Sequence, residues 1–141
     1  MEGVRIFHMA DVHLDAPFSL SVPAEAERCR NSLRSVFASA LLAAKNRGAQ
    51  LFVIAGDLFD RSFVTTDTRE FICEKLASFP DCRFFISPGN HDPFDGNSLY
   101  ARDGLPGNVH VFRDKSRVEI DELGTDVYGF GFTESECKFC P

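Results

Sequence analysis

The sequence predicts an α/β fold, a mixed sheet with flanking helices, in a single domain over residues 1–141. Three short apolar runs support this class, because each has the length of a strand and each ends in a polar loop. Two longer segments with apolar residues at helical spacing separate these runs. The resulting order, strand-helix-strand-helix-strand, is typical of a sheet with helices packed on it.

The first part of the chain, residues 4–87, contains the three strands and the two helices. The strands are predicted at 4–10, 51–55 and 83–87, and the helices at 24–47 and 68–79. Pro23 suits the first turn of the first helix, and Gly48 suits its end. Thr66 or Asp67 is expected to cap the second helix, because short polar side chains accept hydrogen bonds from its first turn.

The remainder of the chain is predicted to be richer in strands. One helical turn at 98–102 precedes strands at 109–112, 117–120 and 126–132, and residues 121–124 join the last two as a hairpin. No repeat, low-complexity segment or linker divides the chain, so we expect one domain. The chain stops soon after the last strand, which leaves part of the predicted sheet without cover.

Composition narrows the class of protein. The net charge of −6 disfavours binding of nucleic acid through bulk positive charge, although bound divalent cations can supply that charge locally. No apolar run approaches the ~20 residues of a membrane helix, and no signal-peptide pattern precedes the first strand. Five cysteines at scattered spacings argue against a disulfide framework and favour a reducing cytoplasm.

Side chains that can bind metal or move protons follow each of the first three strands. They are Asp11, His13, Asp57, Asp60, Asn90 and His91. In open α/β sheets, ligands bind beyond the carboxyl ends of the strands, so these groups are expected to meet. Carboxylate, amide and imidazole donors together suit Mn²⁺, Fe or Zn²⁺ better than Ca²⁺. A carboxylate such as Asp57, on the middle strand, could bridge two ions ~3.5–4 Å apart.

Each pattern has a simpler explanation when it is taken alone. Asp-x-His is common by chance, and Gly-Asp and Gly-Asn are ordinary turn sequences. Arg61 is either a phosphate contact or a solvated loop residue, and His8 and His110 are expected to be structural. The three patterns occur in one order, each directly after an apolar strand, and this combination favours a metal site.

These residues resemble a known family, the calcineurin-like metallophosphoesterases. Its first three motifs are similar to Asp11-x-His13, Gly56-Asp57-x-x-Asp60-Arg61 and Gly89-Asn90-His91-Asp92. Residues 13–18 and 56–60 are most similar to SbcD-type bacterial DNA repair exonucleases. The resemblance covers essentially the whole chain and implies the N-terminal part of a metallophosphoesterase α/β sandwich. It implies a phosphodiesterase that cleaves DNA with a metal-bound hydroxide and pairs with an SMC-like ATPase.

The resemblance also implies a role for each residue. Asp11 and His13 would hold a first divalent ion, Asp57 would bridge two ions, and Asn90 would bind the second. Mn²⁺ is the expected metal, with Fe or Zn²⁺ as alternatives. His91 would protonate the leaving oxygen or steady the phosphate charge, and Asp60 would orient His91.

The chain departs from the family pattern in its later histidines. That pattern continues with a further His and a Gly-His-x-His, whereas this chain has only His8, His13, His91 and His110. We therefore expect one weak metal site, low activity and an N-terminal portion of a longer enzyme. The region that usually binds the ATPase would then lie beyond residue 141.

Two alternatives to a DNA exonuclease remain open. One is a phosphatase or phosphodiesterase on small or protein substrates, because the three motifs are shared across the family. The other is a non-catalytic fragment that associates with itself as a homodimer through the uncovered sheet.

Overall fold

The computed structural model describes residues 3–18 and 22–136, and these form an α/β fold as predicted. The helices and strands are β1 (Ile6–Met9), α1 (Pro23–Asn46), β2 (Leu51–Ala55), α2 (Thr66–Ala77), β3 (Arg83–Ser87), β4 (Val109–Val111), β5 (Ser116–Ile120) and β6 (Thr125–Gly129). Short 3₁₀ turns occur at Leu99–Ala101 and Asp121–Leu123. Every predicted element is present, and β2 and β3 have the predicted bounds.

The sheet brings the ends of the first three strands together. Strands β1 to β4 lie side by side in chain order and all run parallel. Met9 pairs with Ile54 and Ile54 pairs with Ile86, so β1, β2 and β3 end at the same edge. The loops that carry the candidate site residues therefore begin next to one another.

The last two strands differ from the prediction of one mixed sheet. Strands β5 and β6 form a separate antiparallel hairpin and do not join the parallel sheet. The hairpin packs on a face of the sheet, where Ile120 contacts a cluster with Leu51 and Phe85. An apolar face of a parallel sheet needs cover, and the hairpin supplies it over β2 and β3.

The helices cover the opposite face of the sheet. A consecutive strand order with right-handed crossovers places α1 and α2 on the same side. There the rings of Phe52 and Phe84 pack 4.7 Å apart beneath Leu41 and Leu76, which are fully buried. Ile6, on the other face of β1, is 59% exposed.

The cap of α2 lies one residue before the first of the two predicted positions. Thr65 is the N-cap: its hydroxyl accepts from Thr68 N at 3.3 Å, and Thr65 N donates to the Thr68 hydroxyl at 3.1 Å. This reciprocal pair satisfies two backbone donors, which Thr66 or Asp67 would not do at the observed start of the helix. Pro23 lies in the first turn of α1, as predicted.

Two further sequence predictions concern disulfide bonds and membrane helices. Cys29, Cys73 and Cys82 are free thiols, while Cys137 and Cys140 lie outside the described residues. Among the helices of residues 3–18 and 22–136, none combines the length and the apolar character needed to cross a membrane.

Candidate metal centre

The loops after β1 and β2 run alongside each other beyond the sheet. Asp11 N donates to Gly56 O at 3.1 Å, and His13 N donates to Asp57 O at 2.9 Å. Leu14 N continues the pairing to Leu58 O at 2.9 Å. These backbone hydrogen bonds extend the parallel alignment of the strands and place Asp11 and His13 next to Asp57.

The backbone of these loops is strained at the residues of interest. Asp11, His13, Asp15 and Asp57 have φ angles of 53°, 49°, 60° and 54°, in the left-handed region that favours glycine. Such a conformation costs a side-chain-bearing residue about 1–3 kcal/mol and persists only where surrounding contacts enforce it. Four strained residues in two adjacent loops are typical of a ligand site.

Two overlapping groups of donor atoms form where the loops meet. Asp11, His13 and Asp57 each offer a ligand atom, and these atoms lie within 4.8 Å of one another. His13, Asp60 and His91 form a second group within the same limit. His13 belongs to both groups, and its Nε2 lies 4.0 Å from Asp57 Oδ2. Imidazole nitrogen and carboxylate oxygen at these separations fit a divalent transition metal.

The two histidines and their carboxylates form a connected set. The rings of His13 and His91 pack edge to face with centroids 4.9 Å apart. His91 Nδ1 lies 3.4 Å from Asp60 Oδ2, and His91 N donates to Asp57 Oδ1 at 2.9 Å. Asp57 is buried, whereas the side chain of His91 is 47% exposed. The set is therefore closed to solvent at Asp57 and open to solvent at His91.

The structure thus gathers five of the six predicted residues into the two donor groups. The sixth, Asn90, is exposed and lies between Gly89 and His91 at the end of β3. Arg61 lies beside them, because its backbone N donates to His91 O at 3.0 Å. Its half-exposed guanidinium pairs with Asp95, so the phosphate contact of Arg61 stays a prediction.

Asp92 has a role that the sequence reasoning did not assign. Its side chain is fully buried and accepts four hydrogen bonds: from Asp57 N at 3.0 Å, Leu58 N at 2.8 Å, Gly89 N at 2.6 Å and Tyr100 Oη at 2.6 Å. It therefore ties the loop after β2 to the loop after β3. In the sequence, the role of Asp92 is indicated only by its place directly after Asn90 and His91. The backbone N–H groups of a turn there need a hydrogen-bond acceptor, which a carboxylate can supply.

The surroundings of Asp92 and Tyr100 shift the pKa of each group. Burial raises the pKa of Asp92, and the hydrogen bonds from Tyr100 and from the three backbone amides oppose that rise. Burial, together with the charge of Asp92, raises the pKa of Tyr100 well above its ordinary value. Tyr100 therefore stays protonated and remains a donor to the carboxylate.

Gly89 is required by the close approach of the two loops. A Cβ at this position would lie 2.7 Å from Asp57 N and would also press on the Asp57 carboxylate. We expect Gly89→Ala to displace Asp57, to destabilise the fold by about 1–3 kcal/mol and to weaken Mn²⁺ binding. Urea unfolding and Mn²⁺ titration measure the two effects.

Gly107→Ala is the matched control, because no atom lies within 4 Å of a Cβ at Gly107. The control should unfold and bind Mn²⁺ like the wild type. Wild-type Mn²⁺ affinity in Gly89→Ala would show that the packing of Gly89 on Asp57 does not position the site.

Comparison with known proteins agrees with the fold and identifies the family. The family described as calcineurin-like phosphoesterase matches residues 4–133, and the chain belongs to this family of dimetal-dependent phosphoester hydrolases. The chain is also 28% identical over 143 residues to a protein of Bacillus subtilis (strain 168) named "Uncharacterized metallophosphoesterase YhaO". That match covers 94% of the chain and 34% of the relative, so the chain spans about a third of the relative's length.

Proposed function

We propose that this chain forms the metal-binding and proton-transfer site of a phosphodiesterase that acts on DNA. The observation that carries the proposal is the pair of overlapping donor groups, one of Asp11, His13 and Asp57 and the other of His13, Asp60 and His91. They lie at the carboxyl edge of the parallel sheet, where α/β folds bind their ligands.

In this proposal each residue has a distinct task. Asp11, His13 and Asp57 would hold one divalent ion, and Asp57 with Asn90 would contribute to a second. Mn²⁺ suits this mixture of carboxylate, imidazole and amide donors. When bound, such ions polarise a phosphoryl group and lower the pKa of coordinated water.

The proton transfer is assigned to His91 and Asp60. With Asp60 3.4 Å from Nδ1, the carboxylate favours a proton on that nitrogen and leaves Nε2 directed away from it. The exposed ring then has access to a substrate, and as an imidazolium it would donate its Nε2 proton to the leaving oxygen as the phosphoester bond breaks. The backbone N of His91 donates to Asp57 Oδ1 at 2.9 Å, so the carboxylate proposed to bind the ion also positions the residue proposed to transfer the proton.

An exposed aromatic side chain supports DNA as the substrate. Phe63 is 49% exposed, and its backbone N donates to Asp60 O at 3.0 Å, which places it in the loop that carries Asp60. Exposed aromatic rings next to a cleavage site are platforms on which unpaired bases stack. The similarity of residues 13–18 and 56–60 to DNA repair exonucleases points the same way.

The charge near the site favours the second candidate, a phosphodiesterase on small substrates. Arg61 is paired with Asp95, and Arg34 is paired with Asp15 and Asp67. Both arginines are therefore largely neutralised by carboxylates. A small phosphodiester needs fewer contacts with cationic side chains than a long DNA backbone does.

The test compares single-stranded DNA with bis(4-nitrophenyl) phosphate, a small aryl phosphodiester, in the presence of Mn²⁺. We expect slow cleavage of DNA, in keeping with the missing later histidines, and we expect His91→Ala to lower kcat about 10²–10⁴-fold, the usual contribution of a general acid. Mn²⁺ affinity should stay near the wild-type value, because His91 moves a proton and does not bind the ion. His8→Ala, an exposed histidine on β1, is the control and should behave like the wild type.

Three outcomes would change the proposal. Faster turnover of the aryl ester than of DNA would select the small-substrate phosphodiesterase. A large loss of Mn²⁺ affinity in His91→Ala would make His91 a metal ligand within the group of His13 and Asp60. Absence of turnover with either substrate would overturn phosphodiesterase activity for this chain.

A further inference from the structure

We propose that Asp15 is a positioning residue that fixes the metal-binding loop of Asp11 and His13 against both helices, a role that rests on the function proposed above. Asp15 follows His13 by two residues, and it is a buried carboxylate with only 9% of its surface exposed. Its own backbone is left-handed, like that of Asp11 and His13.

Three hydrogen bonds hold the carboxylate of Asp15. Arg34, on α1, donates from Nε to Oδ1 at 3.0 Å and from Nη2 to Oδ2 at 2.5 Å. Thr68, on α2, donates from its hydroxyl to Oδ2 at 2.5 Å. A two-pronged arginine contact fixes the direction of a carboxylate as well as its position.

These contacts keep Asp15 ionised. Burial alone would raise the pKa of Asp15, but the hydrogen bonds from Arg34 and Thr68 and the charge of Arg34 outweigh burial, and the pKa is lowered. Arg34 is itself fixed, because its Nη1 lies 2.8 Å from Asp67 Oδ2 and its guanidinium lies over the ring of Phe71 at 5.0 Å. The anchor therefore has little freedom to move.

The backbone connects this anchor to the metal ligands. Ala16 N donates to His13 O at 3.1 Å, which closes a tight turn around Asp15. Leu14, between His13 and Asp15, is fully buried and bridges to Phe59 on the neighbouring loop. Because this turn is closed by a hydrogen bond to His13 O, a shift of Asp15 would also displace His13.

A purely structural ion pair would behave differently. It would lower the stability of the fold when broken, and it would leave the metal affinity of the folded chain unchanged. A positioning residue must change the affinity and the environment of His13 in the chain that remains folded. Groups that orient metal ligands typically change metal affinity about 10–100-fold when mutated.

The first test is Asp15→Asn, which keeps the size of the side chain and removes its charge. We expect Mn²⁺ affinity to fall about tenfold in calorimetric titration. In the metal-free protein, the imidazole NMR signals of His13 should shift. Glu122→Gln is the control, because it also breaks an arginine–carboxylate pair, in which Arg83 Nη2 lies 2.6 Å from Glu122 Oε1. Arg83 is the first residue of β3, at the opposite end of the strand from the donor groups.

A second pair of variants covers the case in which Asp15→Asn does not fold. Thr68→Val removes the hydroxyl that reaches Asp15, and Thr68→Ser keeps it. Thr68→Val also removes the acceptor of Thr65 N in the cap of α2, whereas Thr68→Ser keeps it, so only the affinity for Mn²⁺ and the His13 signals of the folded variants are compared. We expect Thr68→Val to bind Mn²⁺ more weakly than Thr68→Ser.

The outcomes separate the positioning role from the function. Wild-type affinity and unshifted His13 signals in folded Asp15→Asn, or equal Mn²⁺ affinities in the two Thr68 variants, would overturn the positioning role alone. A wild-type chain that binds no Mn²⁺ would overturn the proposed metal function, and the role of Asp15 with it.

Discussion

Replacing Asp92 by asparagine is expected to destabilise the fold by about 3 kcal/mol, a large share of the stability of a domain of this size. Each carboxylate oxygen of Asp92 accepts two hydrogen bonds. Oδ1 accepts from Asp57 N and Gly89 N, and Oδ2 accepts from Leu58 N and Tyr100 Oη. An asparagine has one carbonyl oxygen, so its amide nitrogen must face one of these pairs of donors.

The less costly orientation of the asparagine in Asp92→Asn places the amide nitrogen next to Tyr100. The tyrosine hydroxyl can rotate and accept a hydrogen bond, but Leu58 N then loses its partner inside the protein. A buried donor without a partner costs about 1–3 kcal/mol, and the strong bonds to a charged acceptor are lost as well. Urea unfolding followed by circular dichroism measures the change in the free energy of unfolding.

Two further variants define the interpretation of the Asp92→Asn result. Tyr100→Phe removes one donor and leaves the carboxylate with three, so we expect a smaller loss of about 1 kcal/mol. Asp114→Asn, at an exposed residue between β4 and β5, should unfold like the wild type. A wild-type free energy of unfolding in Asp92→Asn would mean that the four hydrogen bonds do not stabilise the loops.

The strands that the sequence predicts most accurately are those with two neighbours. Strands β2 and β3 are short apolar runs with sharp polar borders, and both have the predicted bounds. Strand β1, predicted at 4–10, is regular only over Ile6–Met9, and its last predicted residue leads into the loop where Asp11 has a left-handed backbone. Apolar character alone does not show where an edge strand stops pairing.

The last predicted strand, 126–132, is divided in the structure into a strand and a segment that contacts another loop. A single apolar run in the sequence does not show this division. Its first part is β6, which pairs with β5 and ends at Gly129. Beyond it, Phe132 N donates to Pro88 O at 2.9 Å, and Phe132 O accepts from Phe94 N at 2.7 Å. The segment thus leaves the hairpin to support the loop after β3.

The candidate site divides into residues that the sequence reveals and residues that it does not. Asp11, His13 and Asp57 follow strands whose ends must meet, so topology alone predicts their proximity. Asp15 and Asp92 act through distant partners: Thr68 lies 53 positions after Asp15, and Asp57 lies 35 positions before Asp92. No local spacing relates these pairs, and only the folded chain identifies them as supports.

Replacing Asp57 by asparagine should separate metal binding from folding. Asparagine has the same shape and tolerates the left-handed backbone at this position, where φ is 54°. Its carbonyl oxygen can still accept from His91 N, as Asp57 Oδ1 does at 2.9 Å. Its amide nitrogen cannot bind a cation, so we expect Mn²⁺ affinity and phosphodiesterase activity to fall more than about 100-fold with little change in unfolding.

The measurement is a count of ions per chain after equilibration with Mn²⁺ and removal of the free ion. Asp81→Asn, at an exposed carboxylate before β3, is the control and should keep the wild-type count. A full count of tightly held ions in Asp57→Asn would exclude this carboxylate from the metal site.

Asp11→Asn tests whether Asp57 bridges two ions. Asp11 and Asp57 belong to the same donor group by distance, together with His13. If Asp57 serves that group alone, the two asparagine variants should lose Mn²⁺ to a similar extent. If Asp57 also binds a second ion near Asn90, Asp57→Asn must lose more, because one substitution then weakens both ions while Asp11→Asn weakens one. The difference between the two variants therefore measures the bridging contribution directly.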